Sequence, residues 1–482
     1  MILDTQLLGM HASRSRRSAW TTYRWQHSPP GNDQVRPLDI RSRRFAPWLA
    51  PFLLIGAAFP AQAQDRELLD ALLSNGAITQ EQYDELVEPG AQNQDDGTAR
   101  AVIAFDQGAL SVRSADGRFA FEIGARLHAD FAWHSGDSNT GVEATDGTEL
   151  RRAIIELSGT IDGDWGWAAE TDLAGDDVNV KDFWLRYRGL DRVTLTVGHQ
   201  KQPYSLALEM SSNDIPFIER SIANDLIVPF VDRAIGLRAD ASGARWFAAG
   251  GLFGESVSPG SSGDEGWGFA GRYVFAPVIE ADRVLHVGLR GAYREPADAA
   301  SSVRIRDETT NVSRLNIVDT GVLTGVESVV LFGPEAAYVN GRFSLVGEYN
   351  HAAVSRAGAG DLDFSSWHLE ATWSLTGESR AAVYSIDEGE FNRLTPARNF
   401  GRDGGGSGAW ELAARYASID LNDDGIAGGR EETFTAGANW HVNPSVRVLF
   451  AWTRILATDD STALRAGAEG INVFAMRAQY AF

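Results

Sequence analysis

The chain has 482 residues, a formal net charge of -22 and no cysteine. Such acidity argues against nucleic-acid binding, which wants a basic face, and the missing thiols suit an oxidising compartment. No apolar run of about 18 residues follows the N-terminal region, so the sequence offers no helical membrane span.

Residues 1–63 read as a leader that is removed. Arg41, Arg43 and Arg44 precede an apolar run over 45–59, and Ala61-Gln62-Ala63 supplies a small-x-small cleavage site before Gln64. This is the layout of a secretory signal peptide, and the run is too short to span a bilayer. The basic stretch 1–34 is what a start codon placed too early would add, with initiation near Val35. The leader carries eight Arg against three Asp, which leaves about -27 for the remainder.

Residues 64–87 carry the one helical pattern. Leu68, Leu69, Leu72 and Leu73 form a stripe at helical spacing, and Asn75-Gly76 ends that helix. Thr79, with Gln82 three residues on, opens a second helix as a capping box. Two short helices cannot bury such a stripe alone. The segment is either a periplasmic coiled coil or helical hairpin that helps an oligomer associate, or a locally folded plug or spacer. Residues 88–100 are polar, hold Pro89 and Gly90, and read as a linker.

From 101 to 482 strand follows strand. Phe119, Phe121, Ile123, Ala125, Leu127, Ala129, Phe131 and Trp133 face one way; Glu122, Arg126, His128 and Asp130 face the other. The alternation continues to the end, where Phe474, Met476, Ala478, Tyr480 and Phe482 oppose Arg477 and Gln479. A strand with one apolar and one wet face sits in lipid only when closed into a barrel, because an open edge leaves N–H and C=O groups unpaired in hydrocarbon. The expected fold is all-β: an antiparallel transmembrane β-barrel of about 16 strands over 101–482, after a short N-terminal helical segment. The stretches 134–149, 254–266, 295–324 and 386–408 are expected as extracellular loops. Trp165, Trp267, Trp367, Trp410 and Trp452 are expected in the interface girdles. A terminal Phe482 with Tyr480 before it is the kind of tail that outer-membrane assembly machinery reads.

Several segments, in order and over nearly the whole barrel region, resemble the phosphate-selective porin O and P family. They include ELRRAIIELSGTIDGDW (149–165), VGHQKQPYSLALEMSSNDIPFIER (197–220), RYVFAP (272–277), LTGESR (375–380), AWELAARYASIDLND (409–423) and NWHVNPSVRV (439–448). The resemblance implies a 16-stranded trimeric outer-membrane channel whose arginines and lysines guide anions, phosphate or polyphosphate in the best-known members. It also implies ion-path residues. Arg151 and Arg152 match the family's paired arginines, and Arg126 matches a barrel-lining arginine of the preceding strand. Arg304, Arg306 and Arg314 fall where the family lines its pore with arginine, and Lys201 falls near the constriction. Here that stretch also holds Asp307 and Glu308, and lysine occurs only at 181 and 201.

Strand alternation adds Arg186, Arg188, Arg238, Arg272, Arg290, Arg294, Arg415, Arg447 and Arg477 to the wet face. A row of guanidinium forks can hand an anion along a narrow lumen. Inward carboxylates such as Glu156, Glu170, Asp182 and Glu411 are available to pair with them. Asp420, Asn422, Asp424, Gly425 and Glu431 have calcium-loop spacing, but their flanks alternate as strands, so a connecting turn is expected. An enzyme in the barrel would need a Ser, a His and a carboxylate together, and neither G-x-S-x-G nor H-E-x-x-H occurs. The reading is therefore a channel and not an enzyme, in the bacterial outer membrane, with no cofactor or metal. It is a homotrimer passing small hydrophilic solutes, anions such as phosphate foremost. A general diffusion porin without phosphate preference is the alternative, with a barrel enzyme or an envelope tether behind it.

Overall fold

The computed structural model describes residues 101–106, 109–136, 144–175, 178–255, 264–297, 302–308, 311–312, 316–401, 405–458 and 469–482. The leader, the 64–87 helices, the 88–100 linker and Arg314 lie outside these residues.

Sixteen strands close one antiparallel barrel. They are β1 (Ala120–Ser135), β2 (Gly147–Ile161), β3 (Trp165–Asp172), β4 (Asn179–Leu190), β5 (Val193–Lys201), β6 (Arg233–Gly243), β7 (Trp246–Phe253) and β8 (Trp267–Ile279). There follow β9 (Arg283–Glu295), β10 (Val326–Asn340), β11 (Phe343–Arg356), β12 (Leu362–Ser374), β13 (Ala409–Asp423), β14 (Ile426–His441), β15 (Val446–Thr458) and β16 (Asn472–Ala481). Each strand pairs with the next, and β16 returns to β1 from Asn472↔Ser135 to Ala481↔Arg126. Phe482 extends that seam by exchanging N–H···O bonds with Ala125 at 3.1 Å each. Below it, the strands Ala101–Asp106 and Ala109–Ser114 form a hairpin that pairs with the foot of β1, Leu110↔Ile123 to Arg113↔Ala120. The barrel proper thus begins at Ala120.

The pleat sorts side chains as the alternation requires. Along β16, Arg477 and Gln479 are buried inside, while Phe474 and Tyr480 stand bare outside. Along β10, Leu331, Ala337 and Val339 point in, and Val330, Phe332 and Tyr338 point out. Aromatics ring both ends of the outer surface. Trp165 lies 4.7 Å from Tyr187 and Trp410 5.4 Å from Trp440 at one end. Trp133–Phe474, at 5.2 Å, and Trp267–Tyr293, at 5.4 Å, mark the other.

Connections alternate between these ends. One end carries the turns 162–164, 191–192, 244–245, 280–282, 341–342 and 442–445; the other carries the longer loops, including 202–232 and 296–325. In bacterial barrels short turns face the periplasm. The connection 375–408 breaks the pattern. Sequence length suggested an extracellular loop over 386–408, but 375–408 joins β12 to β13 at the short-turn end. Parity of the strand count decides the end, and length does not. At the loop end, Asp424-Gly425 is a tight turn between paired Asn422↔Ala427 and Asp423↔Ile426, with Gly425 at φ +83°. The calcium-loop spacing therefore falls on a hairpin, where no helices flank it.

Among the described residues three connections pack inward, and 296–325 does so through Ile305, Val318 and Leu323 in the first of the clusters below. Loop 202–232 carries Tyr204, Leu208, Ile222, Leu226, Ile227, Phe230 and Val231 into a buried cluster with Leu331, Val354, Phe364 and Ile419 of the inner wall. From the opposite end, 375–408 sends Ala381 and Phe391 into a second cluster with Leu206, Met210 and Val339.

Candidate functional site

Loop 202–232 is shaped by local capping before it meets the wall. Ser205 Oγ accepts from Leu208 N at 3.0 Å and opens the short helix α1 (Leu206–Glu209). The orphan N–H groups of Leu206 and Ala207 donate to Glu335 at 3.0 Å and Glu348 at 2.8 Å on the facing wall. Arg220 donates to the carbonyls of Ala207 at 2.6 Å and Met210 at 2.7 Å, which closes the loop on itself.

Most inner-wall arginines meet a carboxylate. Arg126 Nε lies 2.6 Å from Glu156 Oε1, and its Nη2 lies 3.4 Å from Glu170. Arg272 and Arg290 flank Glu335 at 2.7 Å each. Arg238 reaches Glu209 at 2.8 Å and Asp240 at 2.7 Å. Arg380 forks onto Glu411 at 2.7 and 2.8 Å. Arg238–Glu209 and Arg380–Glu411 tie the connections 202–232 and 375–408 to the wall, the other pairs tie wall residues to one another, and all leave little net charge for a passing ion.

A β-bulge brings Arg151 and Arg152 inward together. His128 pairs with Arg152 while Ala129 pairs with Leu150, so Arg151 is the extra residue. Strict alternation would have sent it to lipid. Both converge on Glu219 of the loop, Arg151 at 3.1 Å and Arg152 at 3.8 Å. Arg477 joins them at 2.5 Å while also bonding Asp130. Burial would raise the Glu219 carboxyl, but Arg477, Arg151 and Arg152 outweigh it and hold the group well below the usual carboxylate range.

The other expected residues separate. Arg304 and Arg306 lie exposed on loop 296–325, where Arg304 Nε pairs with Asp319 at 2.8 Å. They do not meet Arg126, Arg151 or Arg152 at one site. Lys201 sits where β5 enters loop 202–232 and donates to the carbonyls of Glu209 at 2.5 Å and Met210 at 3.3 Å.

Three cavities lie along one side of the lumen. The first, about 310 Å³ towards the loop end, is lined by Gln202, Arg233, Glu255 and Arg294. The second, about 420 Å³, is lined by Trp184, Arg186, Arg188, Lys201 and Glu390. The third, about 580 Å³ towards the short turns, shares Asp182, Trp184 and Arg188 with the second. Arg233 belongs to the upper cavity and Asp182 to both lower ones, and the two join by a pair of 3.1 Å bonds. Cations lining these cavities bond neutral acceptors as well. Arg186 donates to Thr196 Oγ1 at 3.0 Å and stacks 4.2 Å over Trp184. Arg294 donates to Gly254 O at 2.7 Å and Gln202 Oε1 at 3.0 Å.

Sequence reasoning missed Glu219, Arg233 and the inward turn of 375–408. A signal for the loop was present: the apolar side chains of 204–231 lie between two amphipathic strands and cannot remain in water. Nothing comparable marks the partners, because each belongs to a distant strand.

The sequence profile of the phosphate-selective porin O and P family matches residues 121–482, which spans β1–β16. Porin O of Pseudomonas aeruginosa is 27% identical over 416 residues, covering 79% of this chain and 92% of that protein. An uncharacterised protein of Caulobacter vibrioides is 31% identical over 308 residues, covering 61% of this chain and 60% of its own. Among solved structures, an anion-selective porin from Comamonas acidovorans superposes with a TM-score of 0.50 at 15% identity, covering 76% of this chain and 100% of its own, a likeness of fold. With a closed sixteen-stranded barrel and a family match over its full length, the chain is a bacterial outer-membrane porin and belongs to the phosphate-selective porin O and P family.

Proposed function

We propose that this porin passes small anions, with Arg294, Lys201, Arg186 and Arg188 as the cations a permeant ion meets in turn. The observation that carries the reading is their placement: they line the upper and middle cavities, and Arg188 reaches the lower one too. Of these, Arg186, Arg294 and Lys201 bond hydroxyl, amide or carbonyl oxygens. Their charge remains available to an oxyanion, and guanidinium forks match its geometry. The family's phosphate-selective description and the Comamonas porin's anion-selective one support the same class. Arg126, Arg151 and Arg152 act here as wall and latch residues, and Arg304 and Arg306 as outer-loop residues, with Arg314 in the same segment. A homotrimer in the lipid bilayer, inserted by the assembly machinery through the strand ending at Phe482, completes the reading.

Reversal potentials in planar bilayers test it. In a tenfold KCl gradient the purified porin is expected to prefer chloride, and millimolar phosphate to reduce the chloride current. Lys201→Gln with Arg186→Gln should lower the anion preference by about threefold to tenfold. A cation-selective wild-type pore refutes the proposal. Anion preference without phosphate block favours a general diffusion channel.

A further inference from the structure

The inward connection 375–408 carries a short hairpin, 384–391, that is seated firmly against the wall. Ile386 packs on Phe247, Ala249 and Val274. Ser242 Oγ donates to Asp387 Oδ1 at 2.7 Å, and Arg272 donates to the Gly389 carbonyl at 2.7 Å. Tyr384 Oη lies 2.9 Å from His286 Nδ1. Gly389 has φ +66°, and a Cβ there would lie 2.9 Å from the Phe247 ring, so the turn is fitted to this place. The consequence is electrostatic. Asp387, Glu388 and Glu390 join Arg186, Arg188 and Lys201 in lining the middle cavity.

We propose that Glu388 and Glu390 are specificity-determining residues: the seated acidic turn works against the basic β4–β5 wall in one cavity and sets how strongly the pore prefers anions. This rests on the anion reading above and deepens it. A permeant ion between the two sides feels both, because both line one cavity of about 420 Å³. Removing the acidic side leaves the cations unopposed.

The balance shifts with pH. Burial raises the Glu390 carboxyl to about 7, Lys201 opposes that rise, and Glu209 and Glu388 add to it. The charged groups facing Glu390 are Lys201 of β5, Glu209 of α1, Arg272 of β8, Arg238 and Asp240 of β6, Asp182, Arg186 and Arg188 of β4, and Asp387 and Glu388 of its own turn. The guanidinium groups stay charged throughout, so falling pH neutralises Glu390 and strengthens the anion preference.

The experiment measures the chloride-to-potassium permeability ratio in planar bilayers from pH 8 to 5.5. It compares wild type with Glu388→Gln/Glu390→Gln, Glu390→Gln and Glu388→Lys. The last changes an exposed side chain and leaves the seat of the hairpin intact. The double variant should raise the ratio about threefold to fivefold, and Glu388→Lys by at least as much. The wild-type ratio should rise about twofold on acidification, and Glu390→Gln should cut that rise by at least half. Heat-modifiable migration confirms that each barrel is folded. Folded variants whose ratios stay at the wild-type value overturn the inference even if the pore is anion-selective. Variants that shift towards anions from a cation-selective wild type uphold it and overturn the proposed function instead.

Discussion

Replacing Glu219 by Ala separates two ways in which loop 202–232 is held. The change removes the carboxylate shared by Arg151, Arg152 and Arg477. Breaking a buried ion pair costs about 3–5 kcal/mol. The Glu219 side chain is 27% exposed and Arg477 keeps Asp130, so about 1–3 kcal/mol is expected here. Against this stand Tyr204, Leu208, Ile222, Leu226, Ile227, Phe230 and Val231, each under 10% exposed. At about 1.5–3 kcal/mol per buried side chain they contribute roughly 10–20 kcal/mol, and the margin survives even a reduction of about 40% for a compact unfolded chain. The apolar contacts win, so the loop stays in place.

Glu219→Ala should therefore keep the wild-type unit conductance and quiet open-channel current, while the temperature at which the folded band converts on gels falls by a few degrees. Leu226→Ala, which opens a cavity costing about 2–5 kcal/mol in the apolar anchor, should produce flicker. New conductance levels in Glu219→Ala, with none in Leu226→Ala, would refute the ranking of the two forces. The pH dependence follows from the depressed Glu219 carboxyl. Its contribution is present above the unfolded value of about 4.3 and is lost as pH falls towards its folded value. The stability gap between wild type and Glu219→Ala should hold from pH 8 to about 5 and close in stronger acid.

Two further outcomes follow. Gly389→Val forces a branched side chain into a left-handed position against Phe247, which should unseat the 384–391 hairpin and change unit conductance, whereas Ser385→Ala at a nearby half-buried position should not. Arg304→Ala removes an exposed, Asp319-paired guanidinium on the outer loop, so single-channel conductance and phosphate block should stay within about 20% of wild type; a larger loss would return that loop to the ion path.

The barrel was legible in the chain because lipid on one side and a wet lumen on the other impose a period of two that each strand must obey by itself. The run from Phe474 to Phe482 is readable without knowing that β16 closes on β1. The inner arginines were legible for the same reason. What they do was not, since a guanidinium's role depends on what it meets across the lumen. Arg477 meets Asp130 and Glu219, from positions hundreds of residues away in sequence. Arg151 points inward through a bulge that no periodicity announces. Arg304 and Arg306, placed on the pore by resemblance, carry exposed side chains on a loop whose Ile305 and Val318 are buried against loop 202–232. The connection 375–408 belongs to the short-turn end because an exact strand count fixes the direction of every later strand, and it fills the lumen because Phe391 and Ile386 find apolar partners there. The sequence by itself determined that the chain must close on itself in a membrane, since backbone hydrogen bonding and the two-faced pattern are local. Only the tertiary structure decided which charges face open space, because that depends on pairings between distant strands and on loops that fold back into the lumen.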